Sequence, residues 1–309
     1  MSPLRQALVD YLAVRRALGY KLTKTEKLLG QYLTYLEDRG DQRVRTETAL
    51  AWATLPTSPH PRWPYERLSV VRGFAAHVRA LDPATEIPPA NLLPRHRCRA
   101  TPYLYSDEDV AALMMAAATL RTPHRVATYR TLIGLLVVTG MRIGEAIGLD
   151  RDGFDSVHGL LIVHNAKFGK SRELPLHSSA VEAVRRYLQR ADRPPAAART
   201  PALLVSTQGT RLLLGHVEST YHQLVCQAGL KPRSPSCRPR LHDHRHSFAV
   251  RTVLDSYRDG GGDPGARLPL LSTYMGHIEP RDTYWYLSAA PELLALAASR
   301  LERHFGGES

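Results

Sequence analysis

The stretch LHDHRHSF, residues 241–248, decides the fold and the chemistry that we expect of this chain. If a helix begins here, His242 and Arg245 lie three residues apart and face the same side. Both can donate hydrogen bonds to one phosphate, and the histidine can also move a proton. On a strand, the alternating histidines 242, 244 and 246 would line one face, which is the arrangement that a metal site would need. No cysteine or carboxylate cluster completes a ligand set of familiar spacing, so we expect no metal and no cofactor.

Upstream, residues 139–145 have the sequence TGMRIGE. Glycines permit a tight approach at the start of a helix, and Arg142 and Glu145 share a helix face. An arginine oriented by a neighbouring carboxylate makes a fixed clamp for phosphate. The alternative is an ordinary surface ion pair.

Two strand-like runs, LLIVHN and ELPL, enclose the polar turn AKFGKSR, residues 166–172. Only six of the 41 basic residues in the chain are lysines, and Lys167 and Lys170 lie in this turn. Lysine can release its proton when its pKa is lowered, whereas arginine cannot at neutral pH. The turn is therefore a candidate proton donor, or else a merely solvated turn.

Near the C-terminus, Gly276-His277 precedes Thr283-Tyr284-Trp285-Tyr286. Tyrosine can act as a nucleophile that forms a covalent intermediate. By itself, a tyrosine cluster is equally compatible with packing in a core.

In this order, the four segments resemble the catalytic domain of the tyrosine recombinase (phage integrase) family. The positions that match the family's catalytic residues are Arg142, Lys167, His242, Arg245, His277 and Tyr286, with Glu145 and Thr283 in supporting positions. This chain departs from the family pattern at His244, where an apolar residue is usual, and at Leu287 after the nucleophile. Tyr284 competes with Tyr286 for the nucleophile's place, and the nine-residue offset from His277 favours Tyr286.

The resemblance implies an enzyme that cleaves and rejoins DNA at a specific site through a 3′-phosphotyrosine, without metal or ATP. It implies integration, excision or transposition of a mobile element, in a homotetramer on two synapsed DNA sites. A partner recombinase or an accessory factor is a further possibility. Three alternatives remain open: a type IB topoisomerase or telomere resolvase, a non-catalytic DNA-binding accessory protein, and a metal-dependent nuclease.

The expected fold is mainly α with a small antiparallel β-sheet (α+β). Helical periodicity covers residues 4–17, 22–38, 46–54 and 65–80, and Thr23 and Glu26 have the spacing of a capping box. Residues 82–103 are rich in proline and arginine and have no clear period, which is typical of an interdomain linker or hinge. We expect a helical core DNA-binding domain at residues 1–90, a linker at 91–104 and a catalytic domain at 105–309.

Further helices are expected along the second domain. Ser106 is an expected N-cap, and a helix over 126–138 should end at Thr139-Gly140. The Gly-rich stretch 259–266 is expected to be a loop. The other expected helices span 179–191, 215–228, 244–258 and 291–303, and the last of these either docks on a neighbouring protomer or packs on its own domain.

The charge and cysteine content bound the partners and the compartment. The chain has 309 residues, a formal net charge of +12 and three cysteines that are far apart. A basic chain favours an anionic partner, with nucleic acid first among the candidates, and the resemblance implies double-stranded DNA. Sparse unpaired cysteines fit a reducing compartment, and no apolar run approaches the ~18 residues of a membrane span. We therefore expect a cytoplasmic protein with no membrane partner. The resemblance implies a bacterial protein that associates with the nucleoid when bound to DNA.

Overall fold

The computed structural model describes residues 2–55, 61–95, 100–164, 171–194, 200–258 and 264–276. The chain divides into two compact units, Met1–Cys98 and Arg99–Ser309. Within the described ranges the protein is mainly helical, with one small antiparallel sheet. The expected fold class is confirmed.

The described part of the first unit consists of four helices around one apolar core. They are α1 (Pro3–Ala17), α2 (Thr23–Asp38), α3 (Thr46–Thr54) and α4 (Trp63–Arg79). Apolar side chains recur every three or four residues on each helix, so one face of each is buried. Leu29, Tyr32 and Phe74 are among the fully buried side chains of this core.

The predicted capping box at the start of α2 is wrong. Thr23 is the first helical residue, and the residue before it, Leu22, caps the helix in the left-handed conformation with φ 48°. No side chain caps this end. The hydroxyl of Thr23 lies one position too late in the chain to act as the N-cap acceptor.

The second unit begins with three helices: α5 (Asp107–Ala117), α6 (Pro123–Thr139) and α7 (Ile143–Gly148). Ser106 caps α5 in a capping box with Asp109, as expected. Gly140 ends α6 with φ 59°, also as expected. Left-handed backbone is accessible to glycine because it lacks a Cβ, so the sequence marks this helix end well.

The sheet has the strand order β1 (Phe154–Asp155), β2 (Leu160–Val163) and β3 (Arg172–Pro175), all antiparallel. Leu161 pairs with Leu174, and both side chains are fully buried. Strands β2 and β3 flank the residues 165–170 that the structure leaves undescribed. This sheet therefore brings Arg172 back towards the helical part of the unit.

The remaining helices are α8 (Ser178–Leu188), α9 (Leu214–Gln227), α10 (Asp243–Arg258) and α11 (Pro264–Met275). Helix α10 packs against α6 and α11. Helix α11 corrects the expectation of a loop over 259–266, because the helix begins at Pro264. Proline suits the first turn of a helix, but Pro269 inside α11 hides the helical pattern in the sequence.

No helix within the described ranges is long and apolar enough to cross a membrane. The expected helix at 291–303 lies outside the described residues.

Candidate active site

Arg142 and Glu145 form a tight, half-buried pair at the start of α7. Arg142 is the N-cap residue, and its backbone N–H donates to Glu145 Oε2 at 2.8 Å. Its side chain donates from Nη1 to Glu145 Oε1 at 2.9 Å. The side chain of Glu145 is only 9% exposed, so this is not the ordinary surface ion pair that the spacing alone also allowed.

A second arginine, Arg172 at the start of β3, shares the same carboxylate. It donates from Nη1 to Glu145 Oε1 at 3.1 Å and from Nη2 to Oε2 at 2.7 Å. Burial by itself would raise the pKa of Glu145. The hydrogen bonds from Arg172 and Arg142 outweigh it and lower that pKa to about 2, so Glu145 is ionised at neutral pH.

Arg245 lies in the first turn of α10 and is 1% exposed. Its Nη1 donates to the carbonyl oxygen of Gly140 at 2.9 Å, and its Nη2 donates to that of Met275 at 2.5 Å. A buried guanidinium must have hydrogen-bond acceptors, and here helix ends on either side of α10 supply them. Arg245 therefore links the C-terminal ends of α6 and α11.

The two site arginines meet at the end of α11. While Arg245 holds the carbonyl of Met275, Arg142 donates from Nη2 to the carbonyl of Gly276 at 3.2 Å. The residue that follows Gly276 in the chain is His277. Two arginines from distant parts of the sequence thus converge immediately before one of the predicted site histidines.

His242 directly precedes α10 and is held as a neutral imidazole. His242 keeps an exposed surface. Protein atoms packed around part of its ring partly desolvate it and lower its pKa most, and the positive charges of Arg245, Arg240 and Arg142 lower it further, to about 4. A neutral imidazole can accept a proton at one nitrogen and donate a hydrogen bond from the other. His242 is thus available for proton transfer at neutral pH.

The other two histidines of the 241–248 stretch have separate surroundings. His244 is 1% exposed, stacks on Tyr105 with ring centroids 4.2 Å apart, and hydrogen-bonds Tyr221 through Nε2 at 2.7 Å. His246 meets the ring of His242 edge-on at 5.0 Å. The stretch is helical from Asp243, so the strand that would align three histidines does not form. In the part of the chain that the structure describes, no three metal-binding side chains cluster.

Four predicted site residues, Lys167, His277, Thr283 and Tyr286, lie outside the described residues, as does the competing Tyr284. Their roles stay predictions. Among the described site residues, Arg142, Glu145, His242 and Arg245 are gathered around α7 and the N-terminal end of α10.

Sequence reasoning missed the part played by Arg172. It appeared only as one of several cations in the hairpin turn, although it holds Glu145 with two hydrogen bonds. The contact joins residues 27 positions apart, so no helical or strand spacing reveals it.

Comparisons with known proteins identify the family. The model of the phage integrase family matches residues 104–292, more than half of the chain. This chain belongs to the phage integrase family of tyrosine recombinases. A putative integrase/recombinase of Sinorhizobium fredii, y4rB, is 43% identical to this tyrosine recombinase over 311 residues, covering 99% of each chain.

Two further relatives bear on the same assignment. The tyrosine recombinase XerC of Mycobacterium leprae is 29% identical over 273 residues, covering 85% of this recombinase and 86% of XerC. The Tn1549 transposon integrase, solved in complex with transposon right-end DNA, superposes with a TM-score of 0.61 at 17% identity. That match covers 96% of this recombinase and 98% of the integrase chain, and it shows the shared fold.

Proposed function

We propose that this tyrosine recombinase cleaves and rejoins double-stranded DNA at a specific site through a 3′-phosphotyrosine at Tyr286. One observation carries the proposal. Arg142 and Arg245 donate to the consecutive carbonyls of Gly276 and Met275, immediately before His277. The resemblance to tyrosine recombinases implies that the residues at these three positions bind the scissile phosphate.

The reaction exchanges one phosphodiester for another. The hydroxyl oxygen of Tyr286 attacks the scissile phosphorus, its proton passes to His242, and the bond to the 5′-oxygen breaks. Lys167 protonates that oxygen as it leaves. The freed 5′-hydroxyl of another strand then attacks the phosphotyrosine, the bond between phosphorus and the Tyr286 oxygen breaks, and that oxygen takes a proton back. One phosphodiester thus replaces another, so the energy of the bond is kept and no ATP is consumed.

Negative charge gathers on the non-bridging oxygens in the transition state. Arg142, Arg245 and His277 are the proposed donors to those oxygens. A preorganised donor of this kind contributes about 2.7–4 kcal/mol to lowering a barrier. Glu145 orients Arg142, and Thr283 supports the segment of the nucleophile. Because arginines supply the charge, the proposed reaction needs no metal and no cofactor.

The neutral state of His242 supports its role as the proton acceptor. With a pKa of about 4, its imidazole is unprotonated at neutral pH before DNA binds. A positively charged histidine would have no free nitrogen lone pair to receive the proton of Tyr286.

The wider assembly follows from the same proposal. Residues 1–90 form a core DNA-binding domain, 91–104 a linker and 105–309 the catalytic domain. The recombinase acts as a homotetramer on two synapsed sites, with or without a partner recombinase or accessory factor. It serves the integration, excision or transposition of a mobile element, in the cytoplasm and on the nucleoid.

The test is strand exchange on a supercoiled plasmid that carries two copies of the candidate site, taken from the DNA that flanks the gene. EDTA is present and ATP is absent. Recombinant circles from the wild type, and none from Arg142→Gln or Arg245→Gln, would support the proposal. Relaxation of plasmids without the site would favour a topoisomerase, and tight binding without any reaction would favour an accessory protein.

A further inference from the structure

We propose that Arg172 is a positioning residue of this recombinase, an inference that rests on the proposed function. By hydrogen-bonding both carboxylate oxygens of Glu145, Arg172 keeps Arg142 from forming a two-pronged ion pair. The N–H groups of Arg142 that bond neither Glu145 nor the carbonyl of Gly276 are thereby left for the scissile phosphate.

The distances show how the carboxylate is shared. Oε1 of Glu145 accepts from Nη1 of both Arg142 and Arg172, at 2.9 and 3.1 Å. Oε2 accepts from Nη2 of Arg172 at 2.7 Å and from the backbone N–H of Arg142 at 2.8 Å. Both oxygens are thus fully engaged, and the side chain of Arg142 holds only one of them.

The preferred pairing of guanidinium and carboxylate explains why this matters. Arginine and carboxylate favour two parallel hydrogen bonds. If Arg172 were absent, Oε2 would be open to the guanidinium of Arg142, which would rotate onto Glu145 and away from the substrate. With Arg172 present, two positive charges share one negative charge, and the group keeps a net positive charge.

A second contact ties Arg172 to the end of α11. A Cβ placed on Gly276 would lie 2.9 Å from Nη1 of Arg172 and 3.8 Å from Nη1 of Arg142. Gly276 also has φ 65°, which favours glycine. Arg172 therefore lies against both the carboxylate that orients Arg142 and the backbone of Gly276, from a strand that follows Lys167 in the chain.

The test measures single-turnover cleavage of a nicked DNA substrate at saturating DNA, together with the Kd for that DNA. We expect Arg172→Gln to slow cleavage by up to about 100-fold, the loss that a small misplacement of a catalytic group produces. Its Kd should change no more than that of Arg186→Gln. This control removes one positive charge from α8, where the side chain is 71% exposed.

Two further variants separate positioning from folding. Arg172→Lys keeps the charge but cannot fork onto two oxygens, so we expect it to restore only part of the cleavage rate. In a Glu145→Gln background, Arg172→Gln should reduce the cleavage rate much less than it does in the wild type, because Arg172 acts through Glu145. If Arg172→Gln does not fold, the same double-mutant cycle run with Arg172→Lys and Glu145→Gln still tests the positioning role.

An unchanged cleavage rate in Arg172→Gln would overturn the positioning role. A weaker Kd with an unchanged cleavage rate would also overturn it. So would cleavage-rate losses of Arg172→Gln and Glu145→Gln that simply multiply in the double variant. No cleavage by the wild type on DNA that it binds would instead overturn the proposed function, and the positioning role with it.

Discussion

His244 is a buried histidine whose hydrogen bonds fix its protonation. Tyr221 donates to the hydroxyl of Tyr105 at 2.8 Å, and Tyr105 donates to the carbonyl of Arg240 at 3.2 Å. The oxygen of Tyr221 is then free to accept, so His244 donates to it from Nε2. Its Nδ1 is buried and has no hydrogen-bond partner among the described residues. The imidazole is therefore neutral, and burial lowers its pKa to about 3.

The protonation of His244 predicts a loss of stability in acid. Folding lowers the pKa of His244 from its ordinary value of 6.5. The stability that the neutral imidazole contributes is therefore fully present above pH 6.5 and is lost as the pH falls towards 3. At pH 7.5, His244→Leu should lower the free energy of unfolding by roughly 1 kcal/mol, because Tyr221 loses a donor. Between pH 7.5 and pH 5, the wild type should lose on the order of 1–2 kcal/mol of unfolding free energy relative to His244→Leu. The deficit of the variant should therefore vanish or reverse at pH 5.

Urea unfolding at the two pH values measures this difference. The control is His222→Leu on α9, an exposed histidine that meets solvent in both the folded and the unfolded chain. The change with pH in the His244→Leu deficit is read relative to that of this control. A His244→Leu deficit that stays constant with pH would contradict the neutral, buried state of His244.

At the same scale, the sequence predicted some contacts and not others. The pairing of Arg142 with Glu145 follows from a spacing of three residues, which any helix start converts into a contact. The pairing of Arg172 with Glu145 depends on how β3 packs beside α7, which local spacing does not encode. The tyrosine contacts of His244 are tertiary in the same way, so the sequence marked that residue only as unusual.

Among the elements, the junction of α6 and α10 positions Arg245. Gly140 ends α6, its carbonyl accepts from Arg245, and the ring of Phe248 on α10 lies against its Cα. A Cβ on Gly140 would stand 2.5 Å from Cδ1 of Phe248. The two helices can approach this closely only because residue 140 has no side chain.

We therefore expect Gly140→Ala to lower both stability and DNA cleavage. The control is Gly229→Ala, because Gly229 has a similar φ of 70° but no atom within 4 Å of an added Cβ. Both variants should lose about 1 kcal/mol for the left-handed backbone. Gly140→Ala should lose a further ~1–3 kcal/mol from overpacking. Thermal unfolding measures the difference, and equal losses in the two variants would contradict the account of this junction.

The elements also show where prediction from sequence ended. Helix starts and stops with side-chain or glycine caps, such as Ser106 and Gly140, were predicted correctly. The start of α2 was not, because a left-handed leucine replaces the expected threonine cap. Helix α11 was missed because it contains Pro269 and follows a glycine-rich sequence, both of which are untypical of a helix. The C-terminal end of this helix is nevertheless where Arg142 and Arg245 bind.

For the whole molecule, the net charge of +12 predicts DNA binding that weakens steeply with salt. If the recombinase covers six to ten phosphates, its affinity should fall by roughly 10³–10⁵ between 50 and 200 mM salt. Fluorescence anisotropy with labelled site DNA measures the slope of log K against log salt. Arg142→Gln should reduce that slope by about one. Binding that is indifferent to salt would contradict phosphate recognition by the arginines.

The central claim concerns one covalent bond, between DNA and Tyr286. The most direct measurement incubates the recombinase with a nicked suicide substrate and EDTA, and then resolves covalent protein–DNA adducts on a denaturing gel. We predict an adduct from the wild type and from Tyr284→Phe, and none from Tyr286→Phe. An adduct that persists in Tyr286→Phe and disappears in Tyr284→Phe would contradict the assignment and move the nucleophile by two residues.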